Sequence, residues 1–162
     1  MESLFRRHWP AAYRAACLVV HDAAAGEDIA QEAFLAAIRA LDRFDRRRPF
    51  GPWLHRIVVN RAIDWARSRS LRREVAAQPE FEVSRAGLLR VEPQSGGPLS
   101  DEATEALVSL SPEHRAVVIL RYLLDYTPGE IAEMLELPRG TVNSRLRRAL
   151  DRLQAQLERP DS

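Results

Sequence analysis

The 162-residue sequence contains no lysine, and all 24 of its Lys-or-Arg positions are arginine. Codon bias in a GC-rich genome is reason enough for that. Set against 23 acidic residues, the arginines leave a formal net charge of only +1. A chain so nearly neutral has no global field to draw in a polyanion, so nucleic-acid binding would have to come from local basic patches. Each exposed arginine still presents a planar fork of donors suited to phosphate and to guanine. Cysteine is scarcer still: Cys17 alone excludes an intrachain disulfide and a multi-cysteine zinc site. Cys17 and His21 lie one helical turn apart, but two ligands make a weak half-site, and the pair reads as a buried thiol beside a surface histidine. His8, His55 and His114 are scattered. There is no Gly-rich phosphate loop and no Ser/His/Asp arrangement, so an enzyme is a poor reading and no catalytic residue, metal or cofactor is expected. No apolar run approaches the length of a membrane span. Met1–Pro10 holds charge and a tryptophan but no signal-peptide apolar core. The expected setting is cytoplasmic, without membrane insertion.

What the chain does have is 46% apolar residues, enough to bury a core. Helical spacing dominates and no strand pattern is evident, so the expected fold class is all-α. Ala12, Ala15, Ala16 and Val19 recur on one helix face. A second helix reads from about Glu27 to Leu41, with Ile29, Ala33, Ala36, Ala37 and Ala40 inward. After an Arg-rich loop (Arg43, Phe44, Asp45, Arg46, Arg47, Arg48, Pro49), a third reads from about Gly51 to Arg69. Trp53, Ile57, Ala62, Ile63 and Ala66 supply most of its expected buried face. From Glu74 to Ser100 the periodicity fails among Pro79, Gly87, Pro93, Gly96, Gly97 and Pro98, which reads as a flexible linker with a short turn near Ala86–Leu89. Its roughly 26 residues can span about 85 Å at ~3.3 Å per residue. That is enough to join domains about two DNA turns (~70 Å) apart. The expected division is therefore 1–73 and 101–162, with 74–100 as linker.

In the second block Ser100 can cap a helix to Leu110, and Ser111-Pro112 opens another carrying Val117, Val118, Leu120 and Leu124. Thr127-Pro128-Gly129-Glu130 is a capping box with proline at the first helical position. That helix ends near Leu135, and a last one runs from Arg139 to about Gln156. The pair reads as a helix-turn-helix, with Ala132 at the close crossing and Ile131, Leu135, Val142 and Leu146 as its core. The second helix would offer Arg139, Thr141, Asn143, Ser144, Arg147 and Arg148 to a major groove, with Arg145 and Arg152 near phosphates. Glu136 stands where such a turn usually has glycine; a left-handed Glu costs roughly 1 kcal/mol more than Gly.

The segment Leu110–Leu153, with Ser111-Pro112-Glu113 and Gly140-Thr141-Val142-Asn143-Ser144-Arg145, resembles region 4 of sigma-70-family factors. Gly26-Glu27-Asp28-Ile29-Ala30-Gln31-Glu32-Ala33-Phe34-Leu35 resembles region 2.2. Phe50-Gly51-Pro52-Trp53-Leu54-His55-Arg56-Ile57 and Asn60-Arg61-Ala62-Ile63-Asp64-Trp65 are similar to regions 2.3 and 2.4. The resemblance covers about 3–73 and 100–157, and regions 1.1 and 3 find no counterpart, which points to the extracytoplasmic-function (ECF) type. It implies an initiation factor that binds core RNA polymerase and promoter DNA. Asp28, Gln31 and Glu32, which share one helix face, would meet the coiled coil of the largest polymerase subunit. Arg46, Arg47, Trp53, Arg56, Asn60 and Arg61 would melt and read the −10 element. Arg139, Thr141, Asn143, Ser144, Arg145, Arg147 and Arg148 would bind the −35 element, in a domain that also touches the polymerase flap. Trp65 reads as core, whereas Trp53 can both pack and stack on bases. Members of the family are commonly held by an anti-sigma factor. The competing reading is a stand-alone, dimerising DNA-binding regulator, which accounts for the second block only.

Overall fold

A computed structural model describes residues 2–76 and 100–158, with side chains omitted for 73–76. Seven α-helices and no strand occur among the described residues. The expected linker between them, and its short turn, lie outside the described residues except at their ends.

In the first block, α1 (Glu2–Val20), α2 (Ala23–Arg39) and α3 (Phe50–Ala76) form a three-helix bundle. Ala12, Ala15, Ala16 and Val19 are all buried, as their spacing requires. A left-handed His21 (φ 53°) ends α1. Asp22 then caps α2, its carboxylate accepting from the Ala25 amide at 3.1 Å. This cap starts the helix four residues before Glu27, the start expected from the pattern. Gly26 lies at the crossing of α1 and α2. A Cβ there would sit 2.7 Å from the Cys17 Cα, so only glycine allows this approach. The Cys17 thiol is fully buried, and burial pushes its pKa up to about 12. It is packing material, not a nucleophile.

The buried positions of α3 are Leu54, His55, Val58, Val59, Ala62, Ile63 and Ala66. The expected Trp53 and Ile57 are only partly buried. The reason is that α3 is covered on two sides, by α1 and α2 and also by helices of the second block. It also continues past Arg69, to Ala76.

The second block begins with α4 (Asp101–Val108), capped by Ser100, whose hydroxyl accepts from the Ala103 amide at 3.1 Å. Next comes α5 (Pro112–Val118), capped by Ser111 and prolonged by a π-helical turn over Ile119–Leu123. The capping box of α6 (Pro128–Leu135) is complete. The Glu130 amide donates to the Thr127 hydroxyl at 3.2 Å, and the Thr127 amide to the Glu130 carboxylate at 2.9 Å. The turn after it places Glu136 at φ 55°, ψ 48°, the left-handed conformation expected of that position. The last helix, α7, spans Arg139–Glu158. Ile131, Val142 and Leu146 are buried where α6 and α7 pack, while Leu135 and Ala132 are partly exposed.

The two blocks pack against each other. Leu54, Val58 and Val59 of the first belong to the same apolar cluster as Ile119, Leu120, Ile131 and Met134 of the second. Burial of such side chains stabilises by about 1.5–3 kcal/mol each, which favours the closed arrangement.

Candidate nucleic-acid interface

Three polar surfaces carry the residues singled out from sequence. The first is the outer face of α2. Asp28, Gln31 and Glu32 are all exposed there, and the same stripe continues into exposed Leu35 and Ile38. Gln31 donates to Glu27 at 3.4 Å, and Glu32 pairs with Arg61 of α3 at 3.5 Å. An acidic, amide-bearing stripe beside exposed apolar side chains suits a basic amphipathic helix from a partner.

The second surface is α3 with the loop before it. Asp45 organises that loop, its carboxylate accepting from the Arg47 amide at 3.0 Å, and leaves Arg46 and Arg47 exposed. Phe44 stacks on Trp53 at 4.6 Å and 26°, and Phe50 meets Trp53 edge-on at 5.7 Å. Trp53 is therefore both packed and partly open. Trp65 is also half-exposed, and the Arg69 guanidinium lies over its ring at 5.2 Å, so it is less a core residue than its spacing suggests.

Arg56, Asn60 and Arg61 line this surface, and each has a protein partner. Arg56 pairs with Glu136 in the α6–α7 turn. The Asn60 amide donates to the Arg56 carbonyl at 2.9 Å and to the Met134 carbonyl, near the end of α6, at 3.2 Å. Arg61 reaches Glu32. Two further links join the blocks. Arg67 pairs with Glu113. The Tyr126 hydroxyl and Nδ1 of His55 share a hydrogen bond of 2.6 Å inside the interface.

Burial, with His8 nearby, lowers the His55 pKa to about 4, so the ring is neutral at physiological pH. Its Nε2 has no partner among the described residues. Burial also raises the Tyr126 pKa, with Glu130 adding to the shift. Burial alone would raise the Glu113 pKa, but the Arg67 pair outweighs it and the net direction is down. Neither His55 nor Tyr126 was identified from sequence as a point of contact. They stand 71 residues apart, and no local pattern joins them.

The third surface is the N-terminal half of α7. Arg139, Asn143, Ser144, Arg147 and Arg148 are exposed, and Thr141 and Arg145 are partly so. Among the described residues, none of the arginines on this face is held in an ion pair. Arg145 lies close enough to Glu113 and His114 to lower both of their pKa values. It therefore sits on the side of α7 nearer α5. The arrangement is a helix end with a fan of forked donors and an amide, and it suits reading the major groove.

The family model for Sigma-70 region 2 matches residues 4–72, and that for Sigma-70, region 4 matches residues 100–153. The ECF RNA polymerase sigma factor SigW of Bacillus subtilis is 35% identical over 146 residues, covering 85% of this chain and 76% of that protein. The chain belongs to the sigma-70 family, as an ECF sigma factor. ECF RNA polymerase sigma factor SigL of Mycobacterium tuberculosis is 31% identical over 166 residues, covering 98% of this chain and 89% of that one.

Among solved structures, the sigma factor RpoE of Bartonella quintana, in complex with the anti-sigma factor NepR, shares the fold. Its TM-score is 0.78 at 23% identity, covering 99% of this chain and 98% of that one. CnrH in complex with the cytosolic domain of CnrY matches with a TM-score of 0.70 at 29% identity, covering 97% and 86%. As a sigma factor, the chain serves promoter recognition and transcription initiation with core RNA polymerase. It is a non-catalytic subunit of that machinery. Among the described residues no helix is long and apolar enough to cross a membrane, and no group of His, Cys, Asp or Glu could hold a metal.

Proposed function

We propose that this ECF sigma factor divides its work among the three surfaces, in the cytoplasm, with residues 1–73 and 101–162 as its two functional domains. Asp28, Gln31 and Glu32 bind the coiled coil of the largest polymerase subunit, and the 101–162 domain also meets the flap. Arg46, Arg47, Trp53, Arg56, Asn60 and Arg61 melt and hold the −10 element: arginines gather phosphates, and the Trp53 ring offers an open face to an unstacked base. Arg139, Thr141, Asn143, Ser144, Arg145, Arg147 and Arg148 bind the −35 element, Arg as a fork on guanine and Asn on adenine.

The observation that carries this reading is the exposed Arg/Asn/Ser face at the start of α7, directly after a capped helix and a left-handed turn. An anti-sigma factor is a fitting further partner, because the RpoE and CnrH structures that share this fold are complexes with NepR and the cytosolic domain of CnrY.

The test is titration of the protein into core bacterial RNA polymerase, with run-off transcription from candidate promoters. Nanomolar binding and promoter-specific initiation are the expected result. Tight dimeric DNA binding by the chain alone, without core binding, would replace this reading with the stand-alone regulator. Asp28→Ala, Gln31→Ala and Glu32→Ala together should weaken core binding at least tenfold, about 1.4 kcal/mol, with unchanged helix content. Normal competition for core by that variant would remove the three from the interface.

A further inference from the structure

Two residues assigned above to the promoter strand are already occupied by acceptors of the chain itself. Arg56 holds the Glu136 carboxylate, and the Asn60 amide reaches the Met134 carbonyl at 3.2 Å. Met134 lies in the last turn of α6, where backbone carbonyls lack helical partners and carry the negative end of the helix dipole. A carboxylate beside a partly negative helix end offers α3 what a nucleic-acid strand offers: an anionic oxygen for guanidinium and a carbonyl-type acceptor for an amide.

Glu136 is also an unexpected residue for its position. It adopts φ 55°, where glycine is less strained, and its side chain is 76% exposed, so it adds little to the core of its own block. Its described partner is across the interface. The apolar packing of Leu54 and Val58 with Ile119, Ile131 and Met134, together with the His55–Tyr126 bond, holds the turn in register over α3. The groove-reading face of α7 stays uncovered, so the occupation is selective.

We propose that the α6–α7 turn, through Glu136 and the end of α6, is a built-in competitor for the promoter strand. It occupies the strand-reading face of α3 until the two blocks separate. This rests on the assignment of Arg56 and Asn60 to the −10 strand. In the closed chain the duplex-reading helix is available and the strand-reading face is not, so strand capture is coupled to opening.

The experiment uses the full chain and a fluorescein-labelled pool of random single-stranded DNA 12-mers, followed by anisotropy at low salt. Glu136→Gln removes the carboxylate while keeping the side chain's shape. Glu133→Gln removes the same charge from an exposed position three residues earlier on α6 and serves as the control. Glu136→Gln should tighten binding roughly three- to fivefold, the range of one exposed ion pair, and Glu133→Gln should leave it nearly unchanged. No gain from Glu136→Gln, or an equal gain from both, overturns the proposal, the latter because it reduces the effect to general charge. Arg56→Ala in reconstituted holoenzyme separates the two levels. If that holoenzyme opens promoters normally, the strand-contact assignment has failed and takes the competitor with it. If it fails to open them while Glu136→Gln gains nothing, the assignment stands and only the competitor falls.

Discussion

The DNA-facing side of α3 and that of α7 are built from the same residue types, arginine with asparagine, yet the fold leaves them in opposite states. On α3, Arg56, Asn60 and Arg61 each have a protein partner, two of them in the other block. On α7, Arg139, Asn143, Arg147 and Arg148 project into solvent. Residue type therefore sets what a surface can bind, and tertiary packing sets whether it is free to bind. The contrast also matches the two substrates. A major groove is present in any closed duplex, so a ready-made reader can stay open. An unstacked strand exists only after a cost of a few kcal/mol in melting, so its reader can stay covered until then without loss.

Acid should have the largest effect on this contrast. The pKa of His55 is lowered from 6.5 to about 4 by burial and by His8, so the closed state favours the neutral ring. Closed-state stability is therefore full above pH 6.5 and is lost as pH falls from 6.5 towards 4, by about 3 kcal/mol in all. The pKa of Glu113 lies below its ordinary 4.5, so its pair with Arg67 adds loss only at the acid end of that window. Urea midpoints should fall between pH 7 and 5, with an increase in scattering radius, and His55→Gln should flatten the slope. A flat wild-type profile would show that His55 does not hold the interface.

Next in size is Tyr126→Phe, which keeps the ring packing but leaves His55 Nδ1 buried without its partner. The expected loss is about 1–3 kcal/mol, read as a lower thermal midpoint and a more open chain. A variant as stable and compact as the parent would mean that apolar packing alone closes the blocks.

Arg148→Ala tests the uncovered side. It should reduce −35-dependent initiation by about 1–3 kcal/mol if the guanidinium reads a guanine, with no change in thermal midpoint. Unchanged promoter strength would remove Arg148 from the recognition set. The smallest effect belongs to the stability of Glu136→Gly. Relief of left-handed strain, about 1 kcal/mol, opposes loss of an exposed ion pair worth about 0–1 kcal/mol. The midpoint should stay level or rise slightly, and a large fall would mean that the Arg56 pair carries more of the closed state than its exposure allows.

Much of the second block was legible because its signals are local. The Thr127–Glu130 capping box, proline at the start of α5 and of α6, and the left-handed Glu136 are each decided within four or five residues. The acidic stripe Asp28–Gln31–Glu32 follows from helical spacing alone. The face of α3 was harder to read. A helix with one buried side shows a clean stripe, but α3 is packed on two sides, so its apolar residues spread around the axis. Leu54 and Val58, not Trp53 and Ile57, became the fully buried positions. The start of α2 was misplaced because Asp22, a cap, was overlooked in favour of the acidic run after it.

By itself the sequence determined the helical class, the two blocks, the helix-turn-helix and the residue types offered to DNA and to polymerase, because capping, periodicity and spacing act over one or two turns. Only the tertiary structure decided that the blocks close on each other and which binding residues that closure occupies. The Asn60–Met134 and His55–Tyr126 bonds join residues 74 and 71 positions apart. Such contacts form only after apolar burial has brought the helices together, and no local rule encodes them.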